Sequence, residues 1–208
     1  METVSEGGNG LIMSTRDLAM LTPQELVHAI MDTGDVPATV ILCAHGIHIG
    51  ESLDAVKALC GGRVPDPISI LGGVSTLNLF IKENGQQSLK IYEHQLRFSI
   101  KDHGSKILFI LIHPLCGGAR KEVLIRMPEA DPLYTGKISP LDDPDLFLRQ
   151  QVVETEIQRG HLVTTHDWLR SAFPKLEVEV FRITSGRLDK FDDYIQALIS
   201  IESHRQVP

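Results

Sequence analysis

Two stretches of the chain are apolar at nearly every position rather than at every second one. They are Ala38-Thr39-Val40-Ile41-Leu42-Cys43 and the run Ile107 to Ile112. Runs of this length, rich in β-branched residues and apolar on both faces, suit strands buried inside a parallel sheet. Each is followed by a cysteine or histidine, glycine, and then a helical pattern. Downstream of the first run, residues 51–59 place Leu53, Val56 and Leu59 on one side of a helix. Ile68 to Leu71 reads as a third, short strand, followed by a Gly72-Gly73 turn and an irregular or helical piece over 74–80. Residues 88–103 carry Leu89, Tyr92, Leu96 and Ile100 at helical spacing, and Gly104 ends that helix. After the second run, residues 127–144 hold Pro128, Pro132, Pro140 and Pro144 and read as a long loop, in the role of a lid, insertion or interface arm. A helix over 146–159 stopped by Gly160, a short helix over 166–173 containing Trp168, a strand over 176–184, a Ser185-Gly186 turn and a last helix over 190–201 complete the pattern.

Upstream of the first strand, residues 1–12 read as a flexible tail. Ser14 is a candidate cap for a first helix, and Thr22-Pro23-Gln24-Glu25 opens a second that Gly34 stops. The alternation of strands and helices predicts an α/β fold with a mostly parallel central sheet flanked by helices, one domain over 13–208.

Composition narrows the functional classes. The 208 residues are 42% hydrophobic and 23% charged, as expected of a globular chain with a sizeable core. The formal net charge of −7 gives a long-range field of the wrong sign for nucleic acid or an anionic membrane surface. No apolar run approaches the roughly 20 residues of a membrane span, and residues 1–10 lack the basic and apolar regions of a signal peptide. The expectation is a cytosolic protein in which Cys43, Cys60 and Cys116 stay reduced.

The chemistry concentrates at the two strand ends. Were the two strands neighbours, Cys43 at the end of one would approach His113 and Cys116 at the end of the other. Two thiolates and an imidazole are zinc ligands, and three protein ligands leave a fourth position for water or substrate. Against this stands the ordinary fate of free cysteines, which is to be buried as small apolar groups.

These residues also carry a family resemblance. The chain resembles the β-class carbonic anhydrases, in which one strand ends in Cys-x-Asp-x-Arg and a later one in His-x-x-Cys-Gly. Here Cys43-Ala44-His45-Gly46-Ile47 stands at the first motif and His113-Pro114-Leu115-Cys116-Gly117 at the second. The resemblance runs from about Ala38 onward. It implies Zn2+ held by Cys43, His113 and Cys116, reversible hydration of carbon dioxide to bicarbonate by zinc-bound hydroxide, and a homodimer or larger assembly. The family's aspartate and arginine, which gate the metal, are replaced by His45 and Ile47. His45, the candidate catalytic residue, has three possible roles: fourth zinc ligand, partner of the hydroxide in the aspartate's place, or neither. The alternative is a zinc-binding relative that has lost the reaction, acting as a binding or regulatory module or hydrolysing another small electrophile.

The other histidines are expected to be structural. His48 reads as a loop histidine, His94 and His103 as the polar face of the 88–103 helix, and His161 and His166 as neighbours of a helix cap at Thr164 or Thr165. Cys60 reads as packing, and Arg120 and Lys121 as a solvated pair with an outside role in attracting bicarbonate.

Overall fold

The computed structural model describes residues 36–44, 46–83, 86–184 and 187–205. The tail, the two upstream helices and their caps, His45 and the Ser185-Gly186 turn lie outside them, as does the side chain of His48. The described chain forms five strands: β1 Thr39–Cys43, β2 Asp66–Ile70, β3 Ile107–Ile112, β4 Glu177–Thr184 and β5 Arg187–Lys190. Among the described residues the helices are α1 Gly46–Leu59, α2 Gly73–Lys82, α3 Gln86–Lys101, α4 Gly117–Arg126, the short α5 Asp131–Tyr134, α6 Pro144–Ala172 and α7 Phe191–Arg205.

One sheet with the order β2-β1-β3-β4-β5 holds all five strands, and only the β4–β5 pairing is antiparallel. The fold is therefore α/β with a mostly parallel sheet. The continuous apolar runs sit at its centre because alternate residues there serve opposite faces. Ile41, Leu108, Ile110 and Ile112 pack with Val74, Leu77, Leu96, Leu162 and Leu169, whereas Val40, Leu42, Phe109 and Leu111 pack with Val56 and Phe181. Among the described residues no helix is long and apolar enough to cross a membrane.

Register sets the site. Thr39 pairs with Leu108 and Ile41 with Ile110, so Cys43 ends β1 level with Ile112, one residue before His113. On its other side Cys43 pairs with Ile70, the last residue of β2. Three strand ends, and the turns leaving them, therefore meet at one height.

Three expectations are corrected. Gly160 does not stop a helix, and Thr164 and Thr165 cap none, because α6 runs unbroken from Pro144 to Ala172. Glycine inside a helix costs about 1 kcal/mol. That cost is outweighed by burial on both sides of Gly160, at Ile157, Gln158, His161, Leu162, Thr165 and Leu169. Of residues 127–144, the run 135–143 is the open loop expected, whereas the prolines on either side of it open helical turns. Pro128 opens a short 3-10 turn, Pro132 falls in the first turn of α5, and Pro144 is the first residue of α6, capped by Asp143 accepting from Leu146 N at 2.9 Å. Proline has no N–H to lose at these helix starts, and Met127, Ala130 and Leu133 are buried against Val123, Leu146 and Ile157. His103 lies beyond the end of α3 and its Nδ1–H donates to Asp66 at 2.6 Å.

Candidate metal centre

Cys43, His113 and Cys116 come together as the adjacent strands β1 and β3 require. All three are buried, and their ligand atoms lie within 4.8 Å of one another. Atoms sharing one tetrahedral ion at Zn–S of about 2.3 Å and Zn–N of about 2.1 Å are roughly 3.5–3.8 Å apart. The three side chains thus need to close by about 1 Å or less to share an ion. This group can hold a metal ion.

Each ligand atom is aimed by its own backbone. His113 follows β3 directly, and its Nδ1–H donates to Pro114 O at 2.8 Å. That bond places the ring proton on Nδ1 and leaves the Nε2 lone pair for Cys43 or a metal. Cys116 is the N-cap of α4, its carbonyl accepting from Ala119 N at 3.0 Å and Arg120 N at 3.1 Å. Its sulfur consequently sits at the positive end of a helix dipole, where a thiolate is favoured. A hydrogen bond with Cys43, followed by burial, pushes the Cys116 thiol well above its ordinary range. Burial lowers the pKa of His113, but hydrogen bonds to Cys43 and Pro114 outweigh it and leave the imidazole raised.

The turn between β2 and α2 closes the third side. Cys116 Sγ–H donates to Gly72 O at 3.6 Å, and a Cβ on Gly73 would stand 3.6 Å from Cys43 Cβ. Gly72 packs backbone to backbone on Gly118, whose added Cβ would fall 2.5 Å from Gly72 O. Both glycines are needed for the two turns to approach this closely.

The fourth side was not expected from the sequence. Leu115 has φ of 53°, the left-handed region, and is the only non-glycine residue there among the described residues. Such a conformation costs about 1–2 kcal/mol for a residue with a Cβ. It is held by Glu154 of α6, whose Oε2 accepts from Leu115 N at 3.0 Å and whose Oε1 accepts from Cys116 N at 2.7 Å. Gln158 of the same helix donates to both His113 O (3.4 Å) and Glu154 Oε1 (3.2 Å). Glu154 is the one buried carboxylate among the described residues. A trace of it was present in the sequence: Gln150, Gln151, Glu154, Thr155, Gln158, His161 and Thr165 make a polar stripe at helical spacing, and the structure buries every one of them.

The remaining candidates separate. Arg120 forms an ion pair with Asp131 at 2.7 Å and stacks over Tyr134, and so is committed away from an anion-attracting role. Cys60 is half-buried among apolar residues on the other face of the sheet. His161, expected beside a helix cap, is 3% exposed inside α6; Glu122 Oε1 accepts from its Nε2–H at 2.9 Å, and Ser75 Oγ lies 3.0 Å from Nδ1. His45 lies outside the described residues. The chain matches no protein-family model and no curated protein.

Proposed function

We propose that Cys43, His113 and Cys116 bind Zn2+ and that the protein is a divergent relative of the β-class carbonic anhydrases, interconverting carbon dioxide and bicarbonate. The observation that carries this reading is the convergence of two cysteines and a tautomer-fixed histidine at the ends of adjacent parallel strands. The donor set is one that zinc prefers, and three protein ligands leave a fourth position for water or substrate. When bound, the ion would supply Lewis acidity and bring the pKa of water down to about 7. The chain's own contribution is to present the ligands ready-aimed and to exclude bulk solvent from buried Cys43, His113 and Cys116.

A second reading has a specific observation behind it. The family's aspartate is replaced by His45, and the one buried carboxylate among the described residues, Glu154, is committed to the Leu115 and Cys116 amides. Among the described residues, then, no buried carboxylate is available to orient a metal-bound water. A zinc-bearing relative without hydratase activity fits that shortage unless His45 meets it.

Metal analysis and stopped-flow hydration of CO2 distinguish the two. Purified protein is expected to carry one zinc per chain, and Cys116→Ser to lose it. Stoichiometric zinc in that variant, or none in the wild type, sinks both readings. Hydration by the wild type that His45→Ala abolishes supports the enzyme. An inert wild type that gains activity as His45→Asp with Ile47→Arg supports the inactive relative.

A further inference from the structure

More hydrogen bonds converge on Glu154 than the two that hold the Leu115 turn. It is 0% exposed, and five N–H groups reach it: Leu115 N, Cys116 N, and the amides of Gln150 (2.6 Å), Gln151 (3.4 Å) and Gln158 (3.2 Å). Arg182, on β4 and 1% exposed, sets the direction of this network. A guanidinium only donates, so its bond to Gln151 Oε1 turns that amide nitrogen toward Gln150 Oε1, at 2.5 Å. Gln150 is thereby turned to donate to Glu154 and to Tyr134 OH. Glu154 is the acceptor in all five of these bonds. Burial pushes its pKa up, and the surrounding donors offset only part of that rise.

We propose that Glu154 is a positioning residue for the metal centre, holding the left-handed Leu115 turn so that Cys116 is preset to ligate. The inference rests on the metal-binding reading of Cys43, His113 and Cys116. Glu154 touches no metal; it acts through the backbone N–H of a ligand residue, as outer-shell partners in metal sites do.

The test uses the full-length protein, stripped with chelator and reloaded with Zn2+ or Co2+. Glu154→Gln replaces an acceptor by a donor facing N–H groups. It is expected to weaken Zn2+ binding by about 10–100-fold in a competition titration. It should also shift the Co2+ d–d and thiolate charge-transfer bands, which report the geometry at Cys116. Wild-type affinity with a wild-type Co2+ spectrum overturns the proposal. Should Glu154→Gln not fold, Gln150→Met is read instead, because it cuts the Arg182–Gln151–Gln150–Glu154 chain and spares the two backbone bonds. An altered Co2+ spectrum in Gln150→Met supports the proposal, and an unchanged one overturns it. A wild type that binds neither ion removes the metal reading itself, which a normal wild type with an indifferent Glu154→Gln does not.

Discussion

Gly117 and Gly118 are adjacent, lie in the same first turn of α4, and should respond in opposite directions to the same substitution. A Cβ on Gly118 meets Gly72 O at 2.5 Å, Gly72 Cα at 2.8 Å and Gly72 C at 3.0 Å, all backbone atoms that have no rotamer to escape into. Reaching an ordinary contact of about 3.4 Å requires the Gly72 carbonyl to withdraw by roughly 0.9 Å, the difference from the 2.5 Å found for the added atom. Overpacking of this kind costs about 1–3 kcal/mol. For a chain of this size that is a fall in Tm of about 2–12 °C. The Gly117 position has nothing within 4 Å of an added Cβ. Alanine there gains helix propensity and loses backbone entropy only in the unfolded chain, so Tm should hold or rise by about 1–3 °C.

The assay is thermal unfolding of Gly118→Ala, Gly117→Ala and wild type, all stripped of metal so that ligand loss does not enter. Metal affinity is then measured separately. The displaced Gly72 O is the acceptor of the Cys116 thiol, and Gly73 beside it abuts Cys43, so Gly118→Ala should also bind metal more weakly. Equal Tm values for the two variants would refute the close approach of the β2–α2 and β3–α4 turns, and with it the third wall of the site.

Two further expectations follow from α6. Gly160→Ala should raise Tm by about 1–4 °C, because the position has open space around it inside a helix and alanine is favoured there by about 0.5–1 kcal/mol; a lower Tm refutes the continuous helix. The second concerns His161, where burial lowers the pKa while Glu122 on α4 opposes and Lys82 on α2 adds to the lowering, with Ser75 as the neutral neighbour. The folded protein then refuses a proton that the unfolded chain accepts below about pH 6.5. This contribution to stability is complete above that pH and is lost as the pH falls toward the folded-state value. Unfolding free energies measured by denaturant titration between pH 7.5 and 5.5 should fall less in His161→Gln than in wild type, and parallel slopes would refute the assignment.

How far the sequence revealed the molecule depended on whether an element's surroundings left a mark on its own residues. β1 and β3 were legible because a central parallel strand must be apolar on both faces, and the Cys43–His113–Cys116 meeting followed once those strands were neighbours. β5, Arg187–Lys190, was not legible, since an edge strand of four residues, three of them charged and only Leu188 apolar, carries no periodic signal. Pro128, Pro132 and Pro144 read as loop markers, although proline in the first turn of successive helical segments has the same appearance; Pro140 does lie in a loop. Gly160 was read as a stop because propensity is local, whereas the burial that overrides it comes from α2 and the sheet.

Glu154 was hidden for a deeper reason. On a helix, a stripe of glutamines, glutamate, threonine and histidine reads as the solvated face, because side chains of those types are usually wet. The rule fails where the helix lies against exposed main chain instead of side chains. The β3–α4 turn presents the N–H groups of Leu115 and Cys116 and the carbonyl of His113, which an apolar stripe would leave unsatisfied at a cost of about 1–3 kcal/mol each. A helix packed on such a turn must be polar on its buried face. The same inversion applies wherever a long helix crosses a strand-end turn, and it makes a buried polar stripe a pointer to the turn that bears ligands. In this chain the stripe from Gln150 to Gln158 points to His113, Leu115 and Cys116, two of them members of the metal-binding set and the third the strained residue between them.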